Sequence, residues 1–265
     1  MCENPKDKNE GIIYLNEKER TDQIIRPILR GRDIKRYAYE WGNIWLLFIP
    51  WHFPNTLQPK SMEENEKDFT RLYPQLYNHL LEHKNRLSKR NQDETGIRYE
   101  WYCLQRWGAN YFGEFNRQKI VWNPVSGEYF FAYIKDQIYF NNSLFMITKS
   151  NTKKSSNLQA KNDNFLIYLL GLMNSTLYKW LIIQMTNLIQ VGQYAYGSKD
   201  KIENLPIPQI SAEEENKFVE IVEQILEAKK QHHDTQTLEK QLDTMVFALY
   251  ALTDEEIKII TSDFL

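Results

Sequence analysis

The sequence predicts an α+β fold: a mixed or antiparallel β-sheet body with flanking helices, closed by an acidic helical hairpin at the C-terminus. Three observations predict it. Residues 119–148, "KIVWNPVSGEYFFAYIKDQIYFNNSLFMIT", are rich in β-branched and aromatic side chains. Asn123-Pro124, Ser126-Gly127 and Asn141-Asn142 punctuate them, which is the pattern of short consecutive strands joined by tight turns. Residues 61–90 and 164–185 carry apolar side chains at helical spacing. Residues 211–265 show two capping boxes ahead of amphipathic runs.

In chain order, residues 1–23 read as the polar tail of a linker, with one possible strand at "GIIYL" (11–15). "YEWGNIWLLFIPW" (39–51) reads as a strand pair about Gly42-Asn43, ending at Pro50. Between 61 and 90, Phe69, Leu72, Leu76, Leu80 and Leu87 share one helical face, and Pro74 alone is discordant. Residues 150–163 are polar and read as a surface loop. The helical pattern of 164–185 breaks at Asn174-Ser175, which can cap a second helix. A Gly/Tyr loop then leads to the tail. There Ser211 and Glu214 box a helix bearing Phe218, Ile221 and Ile225. Leu238, Leu242, Met245 and Leu249 form a second helix, and Thr253 and Glu256 box a third. The domain reading is 1–23 linker or first strand, 24–210 body, and 211–265 helical segment packing on the body or on a partner.

The formal net charge of -2 hides an uneven distribution. Residues 21–210 hold 24 Lys and Arg against 17 Asp and Glu, and residues 211–265 hold 5 against 13. A mildly basic body suits a polyanion, and an acidic helical tail suits docking. Two cysteines, Cys2 and Cys103, make no disulfide framework, so a reducing cytoplasm is expected. No signal peptide is read at the start. The apolar run 165–185 is interrupted by Asn174-Ser175 and Lys179 and reads as buried core rather than a membrane span.

Catalytic constellations are absent. No two glycines form a G-x-G pair, so neither a dinucleotide loop nor the usual S-adenosylmethionine loop is read. "GANYFGEF" (108–115) has P-loop glycine spacing, but Glu114 and Phe115 stand where Lys and Ser/Thr are required. "WNPV" (122–125) approaches the Asn-Pro-Pro-aromatic loop of DNA amino-methyltransferases, yet Val125 replaces the second proline and Ser126 the aromatic; a strand ending in a turn is the simpler reading. His79 and His83 have the i, i+4 spacing of a metal half-site. No third ligand is read beside them, and no metal ligand set is assigned. His232-His233 reads as a helix end.

Recognition chemistry is present in three clusters. The first, "IIRPILRGRDIKRY" (24–37), holds Arg26, Arg30, Arg32, Lys35 and Arg36. Guanidinium forks suit phosphate oxygens and guanine edges. Alternatively, some of these cations pair with Asp33 or Glu40 and fix the turn at Gly31. The second, 98–119, interleaves Arg98, Gln105, Arg106, Arg117, Gln118 and Lys119 with Trp101, Trp107 and Tyr111. The third, "QVGQYAYGSKDK" (190–201), offers Gln193, Tyr194, Tyr196 and Lys199 on a glycine-bearing loop.

The order "IIRPILRGRDIKRY", "YCLQR", "KIVW", "LLGLMNSTLYKWL", a Gly/Tyr loop, "LPIP" and "LDTMVFALYALTDEEI" resembles the TaqI-like C-terminal specificity domain. That domain is the target-recognition module of adenine-specific DNA methyltransferases and of type IIG restriction–modification enzymes; phage-defence methyltransferases are more distant in organisation. The resemblance runs from about Gly11 to the end. It implies a module that selects double-stranded DNA sites, while an N-terminal methyltransferase domain, in cis or in trans, binds S-adenosylmethionine and methylates adenine N6. This chain is therefore expected to hold no cofactor, to be non-catalytic alone, and to contain neither a metal site nor a membrane segment. The rival expectation is a protein-interaction scaffold that does not bind DNA.

Overall fold

The structure is a computed structural model that describes residues 17–90, 98–126, 130–149, 162–185, 195–196 and 199–262. In chain order it runs α1 (Glu17–Asp22), β1 (Ile25–Leu29), β2 (Ile34–Lys35), β3 (Ala38–Tyr39), β4 (Trp45–Leu47), α2 (Met62–Leu72), α3 (Pro74–Leu81) and α4 (Lys84–Ser88). There follow β5 (Lys119–Trp122), β6 (Val125–Ser126), β7 (Phe131–Ile134), β8 (Tyr139–Phe140) and β9 (Phe145–Thr148). The rest is α5 (Asn162–Asn174), α6 (Thr176–Met185), β10 (Ala195–Tyr196), α7 (Lys199–Glu203), α8 (Ala212–Lys230), α9 (Gln236–Leu249) and α10 (Asp254–Ser262). The fold is α+β, with small mixed and antiparallel sheets. The strand candidate at 11–15 and most of the loop at 150–163 lie outside the described residues.

The chain divides into two units. The first comprises the segment through Pro27 and Trp45–Gly113; the second comprises Ile28–Ile44 and Glu114–Leu265.

In the first unit, Pro74 is not a flaw in one helix but the first residue of a second. Proline has no N–H to leave unpaired at that position. The next two amides, of Gln75 and Leu76, donate to the Glu17 carboxylate at 2.6 and 3.1 Å. The α2 helix begins at a capping box, Ser61 with Glu64, that the sequence reading passed over. Phe69, Tyr73, Leu76 and Leu80 turn inward against Ile49, Phe53, Tyr99, Tyr102 and Cys103. Phe69 stacks on Tyr102 with ring centroids 4.4 Å apart. Beside this core the buried Glu100 carboxylate accepts from the His52 amide and Asn65 Nδ2, both at 2.8 Å. A buried charge needs such partners.

In the second unit, β5 is central, antiparallel to β7 and β9. Its side chains alternate between two cores. Ile120 and Trp122 meet the helices, and Val121 meets Leu29, Ile34 and Leu144. Burial on both faces explains why these strands read as continuous apolar runs rather than as alternation. The Lys119 side chain is buried, and its Nζ donates to the carbonyls of Phe115, Arg117 and Asp136 at 2.9–3.1 Å. Burial pushes that amine down to about 8 while the nearby Asp136 carboxylate works the other way.

The break at Asn174-Ser175 is a joint. Buried Asn174 pairs with both the N–H and C=O of Phe131, and Ser175 Oγ accepts from the Tyr178 amide. Asp243 of α9 caps α6 by accepting from Thr176 N at 2.8 Å and Thr176 Oγ1 at 2.6 Å. The α5–α6 pair is bent by 69°, and among the described residues no single helix is long and apolar enough to cross a membrane. Both tail capping boxes, Ser211–Glu214 and Thr253–Glu256, are formed as read. Phe218, Ile221, Val222, Ile225, Leu242, Val246 and Ile260 bury the tail's apolar face in the core that holds α5 and α6.

The strand pair read at 39–51 is corrected. β3 pairs with β2 across a two-residue turn, Arg36-Tyr37, while β4 pairs with β1. Gly42 and Asn43 join two strands that are not partners. A Cβ at Gly42 would lie 2.3 Å from an Arg30 guanidinium nitrogen, so any larger residue there would have to displace that side chain's end.

Candidate nucleic-acid interface

The basic segment 24–37 is sorted by what its side chains already hold. Arg30 grips Asp33, with Nε and one terminal nitrogen at 3.0 and 2.8 Å and the backbone N–H at 2.8 Å. Asp33 is buried, which by itself would raise its carboxyl; the Arg30 bonds outweigh this and hold it below the usual range. Arg36 lies 2.7 Å from Glu239 and donates to the Asn174 carbonyl at 2.6 Å. It therefore ties the β2–β3 turn to the α5–α6 joint and to α9. Tyr37, beside it, sits at φ 64° with its ring buried. Internal pairing, the alternative read for these cations, is thus realised at Arg30 and Arg36. Lys35 makes only a long, exposed pair with Glu40 at 3.7 Å. Arg26 is half-buried on β1, and Arg32 is exposed.

The second cluster divides between the units. Arg98, Gln105 and Arg106 belong to the first, where Arg98 and Arg106 are exposed and Gln105 is half-buried. Trp101 Nε1 donates to Glu66 at 2.6 Å, so this ring is tied into the structure. Trp107 packs with Phe48 and Phe112, while Tyr111 is 56% exposed. Arg117 belongs to the second unit, paired to Glu114 at 3.1 Å and to the Lys149 carbonyl at 3.0 Å. Gln118 accepts from the Tyr133 hydroxyl. Lys119 is the buried lysine described above.

In the third cluster, Gln193 and Tyr194 lie outside the described residues. Tyr196 is described only in its backbone, which pairs in β10 with Val125 of β6. Lys199 opens α7, exposed, at 3.2 Å from Glu203.

An open groove of about 1190 Å³ in the second unit brings Lys35 and Arg36 together with Lys135, Lys229 and Lys230. The last three were not chosen from sequence. Lys229-Lys230 end an acidic helix, and only tertiary packing sets that end beside the hairpin. The "WNPV" segment is a turn, in which Asn123 Oδ1 accepts from the Val125 amide at 3.0 Å. Beside His79 and His83 the sequence reading placed no third ligand; the structure sets the Glu82 carboxylate within 4.8 Å of both imidazoles, all three side chains exposed.

Residues 26–207 match the family of TaqI-like C-terminal specificity domains. The chain belongs to that family. Over 240 residues, 89% of this chain and 70% of the other, the TaqI-like specificity chain is 25% identical to the type II methyltransferase M.MjaIV of Methanocaldococcus jannaschii. Its fold is similar to that of the type IIL restriction-modification enzyme MmeI, solved in complex with DNA, with a TM-score of 0.51 and 12% identity. That likeness covers 90% of this chain and 31% of MmeI, so the chain spans about a third of that structure's length. It carries the target-recognition domain of restriction–modification methyltransferases.

Proposed function

We propose that this chain binds double-stranded DNA sequence-specifically, as the recognition module of an adenine-N6 methyltransferase acting in the cytoplasm, and that an N-terminal methyltransferase domain, in cis or in trans, performs the chemistry. The observation that carries this reading is the family match across residues 26–207, which contains every exposed cation chosen from sequence. Arg32, Arg98, Arg106 and Lys35 supply phosphate and base-edge donors; Arg30 clasps the turn that carries Arg32, and Arg36 ties down the β2–β3 hairpin that carries Lys35. Methyl transfer belongs elsewhere. What supports this is the sequence, which has no G-x-G pair and follows Asn123-Pro124 with Val125 and Ser126 instead of a second proline and an aromatic residue.

Selection of bound sequences from a random duplex pool, at low and at physiological salt, tests the reading. Enrichment of one short motif is expected, with binding that weakens steeply as salt rises. Absence of binding even at low salt overturns it in favour of a protein-interaction scaffold.

A further inference from the structure

His79, Leu80, Leu81, Glu82 and His83 spell H-x-x-E-H, two imidazoles with a carboxylate just before the second. Leu76 and Leu80 are buried, which anchors α3 by its opposite side and turns His79, Glu82 and His83 outward together. The α3 helix ends at Leu81, yet the His83 amide still bonds to the Leu80 carbonyl at 2.9 Å. That bond keeps His83 over His79, with ring centroids 5.4 Å apart. One ligand atom from each of the three residues lies within 4.8 Å of the others. Ligands about 2.0–2.2 Å from a tetrahedral ion stand roughly 3.3–3.6 Å apart, so small χ rotations of exposed side chains close the set.

None of the three side chains has a hydrogen bond or ion pair to a described residue. The nearest cation in sequence, Lys84, is turned away, 3.5 Å from Glu66 and 4.8 Å from the Trp101 ring centre. We propose that His79, Glu82 and His83 form a surface site for a divalent transition-metal ion of the zinc class. Two nitrogens and one oxygen suit that class, and the fourth position stays open to water. The ion would bridge the α3–α4 junction and stabilise the first unit by mass action.

Calorimetric titration of the untagged full chain with zinc chloride tests this, with the thermal midpoint as a second readout. Uptake of one ion and a saturable rise in midpoint, reversed by chelator, are expected. His79→Asn and His83→Asn should each weaken uptake about tenfold or more, and Glu82→Gln should weaken it less. No saturable heat overturns the proposal. So does uptake unchanged in the His79→Asn/His83→Asn double variant, which would place the ion elsewhere, for example at His232-His233.

Discussion

Arg32 and Arg36 stand four residues apart and do different work. Arg36 is spent on Glu239 and the Asn174 carbonyl, whereas Arg32 is exposed. Nothing in "GRDIKRY" separates them, because Glu239 is remote in sequence and only the fold brings it near. Asp33, by contrast, is close enough in the chain for its pairing with Arg30 to be legible as an alternative. Asp68 shows how such local pairing reports on pH. Lys60 Nζ at 2.7 Å and Asn55 Nδ2 at 3.0 Å hold its carboxyl down to about 2. An unfolded aspartate titrates near 3.9, so this stabilisation is complete above about pH 4 and is lost as pH falls through 2. Solvent screening keeps it to about 1 kcal/mol. Urea midpoints of Asp68→Asn and wild type should therefore differ at pH 7 and converge below about pH 2; a constant difference would show that charge is not the cause.

At the scale of elements, the two tail capping boxes were legible because each is a contact between residues three apart, and the α5–α6 break because Asn174-Ser175 interrupts an apolar run, although its partners Phe131 and Asp243 are remote. Strand partners were not. β3 and β4 are short, and each pairs with a strand on its N-terminal side rather than with the other. The Arg30–Asp33 clasp and the space at Gly42 accommodate that arrangement, and neither has a periodicity to read. Helix contact imposes a similar hidden demand at Gly171 in α5. A Cβ there would lie 2.6 Å from Val222 Cγ2 of α8, with Leu242 of α9 at 3.6 Å, and both neighbours are fully buried. Alanine would gain about 1 kcal/mol of helix preference and lose about 1–3 kcal/mol to overpacking. Gly171→Ala should lower the urea midpoint by the equivalent of about 1 kcal/mol; a raised midpoint would mean that the helices part without cost.

For the whole molecule, the charge division along the chain and the specificity-domain family point the same way. The basic body carries the exposed arginines, and the acidic tail buries its apolar face in the second unit's core. If Arg32, Arg98 and Arg106 each neutralise one phosphate, each alanine variant should reduce the slope of log affinity against log salt by about 1, on every duplex alike. Arg36→Ala should instead lower the thermal midpoint with little change in that slope. Filter binding across a salt series, beside thermal melts, separates the two. A slope unchanged in all three exposed-arginine variants would remove them from the interface.

The sequence alone determined the α+β class, the capped tail helices and the helix break, since all rest on hydrophobic period and short-range hydrogen bonding. Only the tertiary structure decided which cations are already committed and which strands pair. Those outcomes depend on contacts between distant residues, which leave no regular spacing in the chain.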